Sequence, residues 1–434
     1  MSAVNIWHPF TQEHIDPPPE RIVSASGAYL YTEDGRRIID AISSWWVNLH
    51  GHCHPHIVEA LTRQGAVVDH VLLAGATHHA VEELTARLGK ILPSNLEHVF
   101  YSDNGSTAVE VALKLAVQYW HNRGLSGKSR IIALEHAYHG DTCGAMSVSA
   151  DSVFTASFDC LRFPIRRAHS AYCYRCPAGK TRSSCSIDCA VSLETLLRNE
   201  AETVAAVIVE PLLQGAGGMI VHPVEFLQRI AALCREHNVL LIADEVLTGF
   251  GRCGKMFACE LANVEPDLMC LSKGITGGVL PLGATACSSS IRREFSGEGK
   301  AFFHGHSYTG NPLACAAGIA SLEIFEKEDV FSRIRRIAQQ HQTRLEQLRK
   351  LPGVGDVRQI GTVAAIELDT PDPGYLSRQR PLLYRFFLDH GVLLRPLGNV
   401  IYVLPPYVIT AEDLEQVYDV IEEALREFCL PRHS

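Results

Sequence analysis

The chain has 434 residues, which at roughly 100–200 residues per domain implies two or three compact units and excludes a peptide-sized module. Hydrophobic residues make up 47% and charged residues 20%, with 33 Gly and 21 Pro; this is a globular composition, and it excludes disordered and fibrous classes. The net charge of −9, without a long basic stripe, excludes nucleic acid as a partner.

In chain order, residues 1–16 lack a basic segment followed by an apolar run, and no stretch reaches the ~18 apolar residues needed to span a bilayer. The expectation is a soluble, cytoplasmic protein with no membrane partner. Residues 1–55, with a proline run at 17–19 and a hairpin around Asp34-Gly35, form an N-terminal segment expected to pack with a small domain. Residues 56–328 are expected to form a large domain. There, apolar runs of strand length (98–101, 130–134, 204–209, 239–243 and 267–271) alternate with helical patterns such as 107–123 and 224–237. Such alternation predicts βαβ units, an α/β fold with a mainly parallel sheet, and functional groups just past the carboxyl ends of the strands. A helix over 312–327 leads into residues 329–434, a smaller α+β domain with a charged helix at 331–350 and a last helix at 410–428.

The polar residues at those strand ends carry the chemistry. Asp103-Asn104-Gly105-Ser106-Thr107 opens a helix, with Thr107 and Glu110 spaced as a capping box. Gly105 and Ser106 there offer either a phosphate cradle or a plain helix cap. Asp244 ends a buried strand, where a carboxylate needs a cationic partner, either a protonated pyridine nitrogen or a structural Arg. Lys273 stands at the next strand end, beside Gly274, Gly277 and Gly278, as either a Schiff-base lysine or a structural one. Pyridoxal 5′-phosphate asks for all three: an amine, an acid at the ring nitrogen and a phosphate site. Tyr138 supplies an aromatic face for stacking, and Glu210 a second carboxylate.

These residues, with 49–55, Tyr138-His139-Gly140, Glu210-Pro211, 242–252, Ser272-Lys273-Gly274 and 304–312, resemble the class III, fold-type I pyridoxal-phosphate aminotransferases over nearly the whole chain. The resemblance implies a large domain with a mainly parallel sheet flanked by helices, plus a smaller α+β domain from both chain ends. It implies that Lys273 bonds the cofactor and shuttles a proton, that Asp244 keeps the pyridine nitrogen protonated, and that Tyr138 stacks on the ring. Gly105 and Ser106 would bind the phosphate, with Ser307 supplied by the second subunit of a homodimer with shared active sites. Residues 7–12, 43–46 and 395–398 resemble a branch that aminates the small molecule 8-amino-7-oxononanoate in biotin biosynthesis, with S-adenosylmethionine as donor. That similarity implies substrate contacts at Phe10, Trp45, Trp46, Asp141, Gly310 and Arg395, with Arg395 on the substrate carboxylate. Many members carry Tyr where this chain has Phe10, and a related branch uses L-lysine as donor, so the donor stays open between the two. Another class III ω-amino-acid aminotransferase is the further alternative.

Ten of the fourteen cysteines are scattered, Cys429 among them, and read as reduced. Cys173, Cys176, Cys185 and Cys189 crowd into a polar loop with ligand-like spacing for zinc or an iron–sulfur cluster, with paired disulfides or free thiols as the alternatives. A metal there would be a local staple, or the mark of a regulatory protein on a disused enzyme fold. His50, His52, His54 and His56 alternate, but Gly51 and Pro55 break the strand that would align them, which favours a structural turn.

Overall fold

A computed structural model describes residues 6–428; the sequence-level remarks on residues 1–5 and on Cys429 lie outside them. Near the N-terminus β1 (Ile22–Ser26), β2 (Tyr29–Thr32) and β3 (Arg37–Asp40) form an antiparallel meander, with Asp34-Gly35 at its second turn. Seven strands build the central sheet: β4 (Leu96–Ser102), β5 (Arg130–Leu134), β6 (Arg166–Ala168), β7 (Val204–Val209), β10 (Leu240–Asp244), β11 (Leu268–Leu271) and β12 (Gly283–Ser288). Between β7 and β10 lies a short ribbon, β8 (Leu213–Gln214) and β9 (Ile220–Val221). The central order is β4-β12-β11-β10-β7-β5-β6, and β12 alone runs against its neighbours.

β7 and β10 are buried at every position, because helices cover both faces of the sheet and leave no face for polar residues. Side chains alternate between two apolar clusters: Ile131, Ala133, Ala206 and Ile208 meet the helix Gly105–Asn122, while Ile132, Leu134, Val207 and Val209 face the other way. The parallel strands deliver their carboxyl ends, Ser102, Leu134, Val209, Asp244 and Leu271, to one edge.

After the helix Pro312–Lys327 the chain forms the helix Val330–Leu348 and a three-stranded antiparallel sheet of β13 (Val354–Ile360), β14 (Val363–Leu368) and β16 (Val400–Val403). The remaining strand, β15 (Val392–Leu393), leaves this sheet and pairs parallel with β3 through Val392–Ile39 and Leu393–Asp40. The two chain ends thereby build one smaller α+β unit, closed by the helix Ala411–Phe428. No helix among the described residues is long and apolar enough to cross a membrane.

One local expectation is corrected. Asn104, not Thr107, caps the helix Gly105–Asn122: its side chain accepts from Thr107 N–H at 3.0 Å, and Thr107 Oγ1 accepts from Asn104 N–H at 3.1 Å. Glu110 turns away and caps the helix Cys143–Val148 instead, accepting from Thr142 Oγ1 and from the N–H groups of Gly144 and Ala145.

Candidate active site

A cavity of about 540 Å³ opens at the carboxyl edge of the central sheet. Its walls gather Gly105 and Ser106 from the start of their helix, Tyr138 past β5, Glu210 past β7, Asp244 at the end of β10 and Lys273 past β11. Phe10, Trp45, Trp46 and Arg395 complete it from the smaller unit. The pairing of β3 with β15 explains that gathering: residues 41–46 and Arg395 leave two adjacent parallel strands at the same end.

Lys273 sits at φ +44, and Ser43, Ser44 and Trp46 also have positive φ (54, 61 and 68). Such backbone is strained for residues with a Cβ, and strain of this kind clusters where side-chain placement matters more than local stability. The Lys273 ammonium lies 5.3 Å over the Trp46 ring. Burial lowers its pKa, while Asp244 and Glu210 pull it the other way. Asp244 is 4% exposed; Oδ1 accepts from Val246 N–H at 3.1 Å, and Oδ2 lies 2.6 Å from His139 Nδ1. Glu210 accepts from the N–H groups of Tyr138 (3.0 Å) and Gly215 (2.9 Å), and burial pushes its pKa up to about 7. Burial, and then the charge of Asp141, push the Tyr138 phenol up; its hydroxyl donates to Asp141 Oδ2 at 2.8 Å.

The helix start is shaped by absent side chains. A Cβ on Gly105 would stand 2.7 Å from Val246 Cγ1, and one on Gly140 (φ +123) would stand 2.1 Å from Ser106 Oγ. Both glycines keep bare backbone against the cavity. With the positive end of the helix and the Ser106 hydroxyl, this donor set suits a phosphate monoester. Asp244, held by two donors and facing the cavity, suits a protonated ring nitrogen, and Lys273 suits an aldehyde. The residues present therefore fit pyridoxal 5′-phosphate.

Asp141 is not part of the cavity wall: its carboxylate accepts from the Tyr138 hydroxyl, and its N–H donates to Ser106 Oγ at 3.2 Å. Ser307 and Gly310 lie outside the cavity: Ser307 is exposed and its carbonyl contacts His70, while the Gly310 carbonyl contacts His78. Residue patterns alone did not single out His139, Phe154 or Tyr375. His139 could have been noticed inside its Tyr-His-Gly motif. Phe154 and Tyr375 stand in irregular connections without a periodic signal.

The metal expectation at the cysteine loop finds no support among the described residues. Cys173, Cys176, Cys185 and Cys189 line one small cavity, yet all four are free thiols, and no group of three or more His, Cys, Asp or Glu side chains among the described residues is placed to hold a metal ion. Burial raises the thiol pKa of Cys173, and that of Cys189 to about 11. The loop is fastened by other groups: Tyr172 donates to Glu367 Oε2 at 2.5 Å, and Arg175 pairs with the same carboxylate. The alternating histidines also diverge, His50 to Ser321, His52 to Asp40, His54 to Glu328 and His56 to Glu323.

Comparison with known proteins identifies the family. The family model for class III aminotransferases matches residues 11–425. The chain is 47% identical to the adenosylmethionine-8-amino-7-oxononanoate aminotransferase of Synechococcus elongatus, covering 98% of this chain and 99% of that one. It is 45% identical to the protein of the same name from Geobacter sulfurreducens, covering 97% and 95%. Among solved structures, that of the like-named Methanocaldococcus jannaschii enzyme superposes with a TM-score of 0.91 at 39% identity, covering 98% and 97%. A PLP-bound amine transaminase from an uncultivated Pseudomonas species superposes with a TM-score of 0.93 at 32% identity, covering 98% and 99%. The chain belongs to the class III aminotransferases, fold-type I enzymes that depend on pyridoxal 5′-phosphate.

Proposed function

We propose that the protein transfers an amino group to the keto carbon of 8-amino-7-oxononanoate, giving 7,8-diaminononanoate in biotin biosynthesis, with S-adenosylmethionine as donor. The observation that carries this reading is Arg395 beside the aromatic residues Phe10 and Trp45 on the wall of the cavity that also holds Lys273. A chain of methylenes between a reacting carbon and a carboxylate matches that layout, and the guanidinium offers the carboxylate a paired donor.

When bound, pyridoxal 5′-phosphate supplies the electron sink that acidifies the hydrogen on the donor's amine-bearing carbon. The chain's own residues do the rest. Lys273 would hold the cofactor at its carbonyl; its amine, released when the donor's amine takes its place and with its pKa lowered by burial, would accept and return the proton at the reacting carbon. Asp244, held by His139, keeps the pyridine nitrogen protonated. Gly105 and Ser106 bind phosphate through backbone N–H groups and the hydroxyl, and Tyr138 covers the ring. Trp45, Trp46 and Phe10 line the substrate path, and Asp141 stands behind Tyr138.

Phe10, at a position where many members carry Tyr, leaves a second reading, the same reaction with L-lysine as donor. Single-turnover spectra decide: the yellow cofactor absorption falls on adding the true donor. Turnover of β-alanine or 4-aminobutyrate in place of 8-amino-7-oxononanoate would instead point to an ω-amino-acid aminotransferase.

We further propose a cytoplasmic homodimer in which Ser307 and Gly310 complete the partner's cavity. Supporting it, Phe303 is 86% and Tyr308 64% exposed in the same segment as Ser307, and large apolar groups left in water mark contact surfaces. Boundaries near residues 55 and 328 are proposed for the two domains. Sedimentation measures the assembly, and Ser307→Ala tests whether phosphate affinity depends on it.

A further inference from the structure

Arg395 is held on three sides. Its Nη2 donates to the Phe10 carbonyl at 2.6 Å, its Nη1 donates to the Tyr375 hydroxyl at 3.2 Å, and its guanidinium carbon lies 5.2 Å from the centre of the Trp45 ring. Phe10 and Trp45 already belong to the proposed substrate wall, whereas Tyr375 comes from the connection between β14 and the helix Gln379–Asp389. That connection is tied to the turn that carries Arg395. Gly374 N–H donates to Asn399 Oδ1 at 2.9 Å, and Asn399 Nδ2 donates to the Leu368 carbonyl at 3.0 Å. Gly398 passes so close that a Cβ there would stand 1.9 Å from the Gly374 carbonyl oxygen.

The Tyr375 ring also joins the aromatic wall. It meets Phe154 edge-on at 4.6 Å, and Phe154 in turn meets Phe10 at 5.6 Å and Tyr138 at 6.3 Å. One residue thus links the cation to the apolar wall. A guanidinium already fixed by two acceptors and an aromatic face loses less rotamer freedom when a carboxylate arrives, and it presents its remaining N–H groups in one direction.

We propose that Tyr375 is a positioning residue that sets acceptor specificity: its hydroxyl fixes the Arg395 guanidinium beyond the aromatic wall, so that the site selects a ketone whose carboxylate lies at the end of a hydrocarbon chain. This rests on the reading of Arg395 as the carboxylate site. Tyr375 acts through Arg395 and takes no part in proton transfer.

The test uses the cofactor-loaded enzyme, with bound-cofactor absorption checked in each variant. Tyr375→Phe keeps the ring on Phe154 and removes only the hydroxyl. Its KM for 8-amino-7-oxononanoate should rise about 5- to 10-fold, the scale of one net hydrogen bond, with kcat within about twofold of wild type. Its KM for the methyl ester, which offers Arg395 no charge, should match wild type. Combined with Arg395→Ala, Tyr375→Phe should add nothing to the KM, because the hydroxyl then has no guanidinium to position. The inference is overturned if Tyr375→Phe leaves the KM of the acid in place, raises acid and ester alike, or adds fully to Arg395→Ala. If wild type rejects 8-amino-7-oxononanoate, the proposed function fails. The acid-against-ester comparison then decides the role of Tyr375 on whichever carboxylated ketone is accepted.

Discussion

His139 Nδ1 lies 2.6 Å from Asp244 Oδ2, with both residues buried, so that the residue after Tyr138 braces the acid at the end of β10 across the intervening strand β7. An ionised carboxylate only accepts hydrogen bonds, so Nδ1–H is the donor. Asp244→Asn is expected to lower kcat about 100- to 1000-fold, the scale of removing one preorganised charge from an active site. His139→Ala leaves one Asp244 oxygen without its donor and should cost about tenfold, as unmade bonds to buried charges do. Steady-state kinetics on both variants, at equal cofactor occupancy, checks the order of the two effects.

Lys273→Ala should remove the general base and the covalent tether together, with a loss of at least about 1000-fold in amino transfer. Added pyridoxal phosphate should still bind through the helix start, but without the yellow absorption of the covalently held form. Retained turnover would remove Lys273 from the mechanism.

Glu210 gives the cofactor-free protein a pH dependence with a definite sign. Its pKa, about 7 when folded, exceeds the usual 4.5, so the folded state holds a proton that the unfolded chain has released. Stability should therefore fall as pH rises from about 4.5 to about 7, by up to roughly 3 kcal/mol, and level off above. Glu210→Gln should flatten that slope; urea denaturation at a series of pH values measures it.

Gly140→Ala would force a Cβ into the Ser106 hydroxyl at a left-handed backbone position. We expect a loss of about 2–3 kcal/mol in stability, together with weaker cofactor binding. The phosphate-free analogue pyridoxal separates the two effects, since its affinity should change much less than that of pyridoxal phosphate.

The cysteine loop should behave as thiol rather than metal. Chelators are expected to leave the melting temperature and activity in place, and elemental analysis to find well under one zinc per chain. Stoichiometric zinc with melting on chelation would reverse that conclusion.

The residues legible from sequence share one property: each stands where a short apolar run ends. Ser106, Tyr138, Glu210, Asp244 and Lys273 could be placed because parallel strands flanked by helices must deliver their carboxyl ends to a common edge. Local pattern also specified the meander at Asp34-Gly35 and the helix Pro312–Lys327. The cap at Asn104 was missed because the sequence offered two residues with capping chemistry, and only packing against the helix Cys143–Val148 showed that Glu110 was engaged elsewhere.

What only the tertiary structure decided depends on contacts between distant segments. The parallel pairing of β3 with β15 brings Trp45 beside Arg395, and such pairing leaves no local period in either segment because it is set by burial on assembly. The same holds for His139 against Asp244 and for Tyr375 on Arg395. The cysteine spacing shows the converse. Four thiols within one loop suggested a ligand set, but Tyr172 and Arg175 anchor that loop on Glu367 and leave the thiols free. Sequence spacing determined which chemistry the chain could offer, and the packing of its two ends on the central sheet decided which side chains meet.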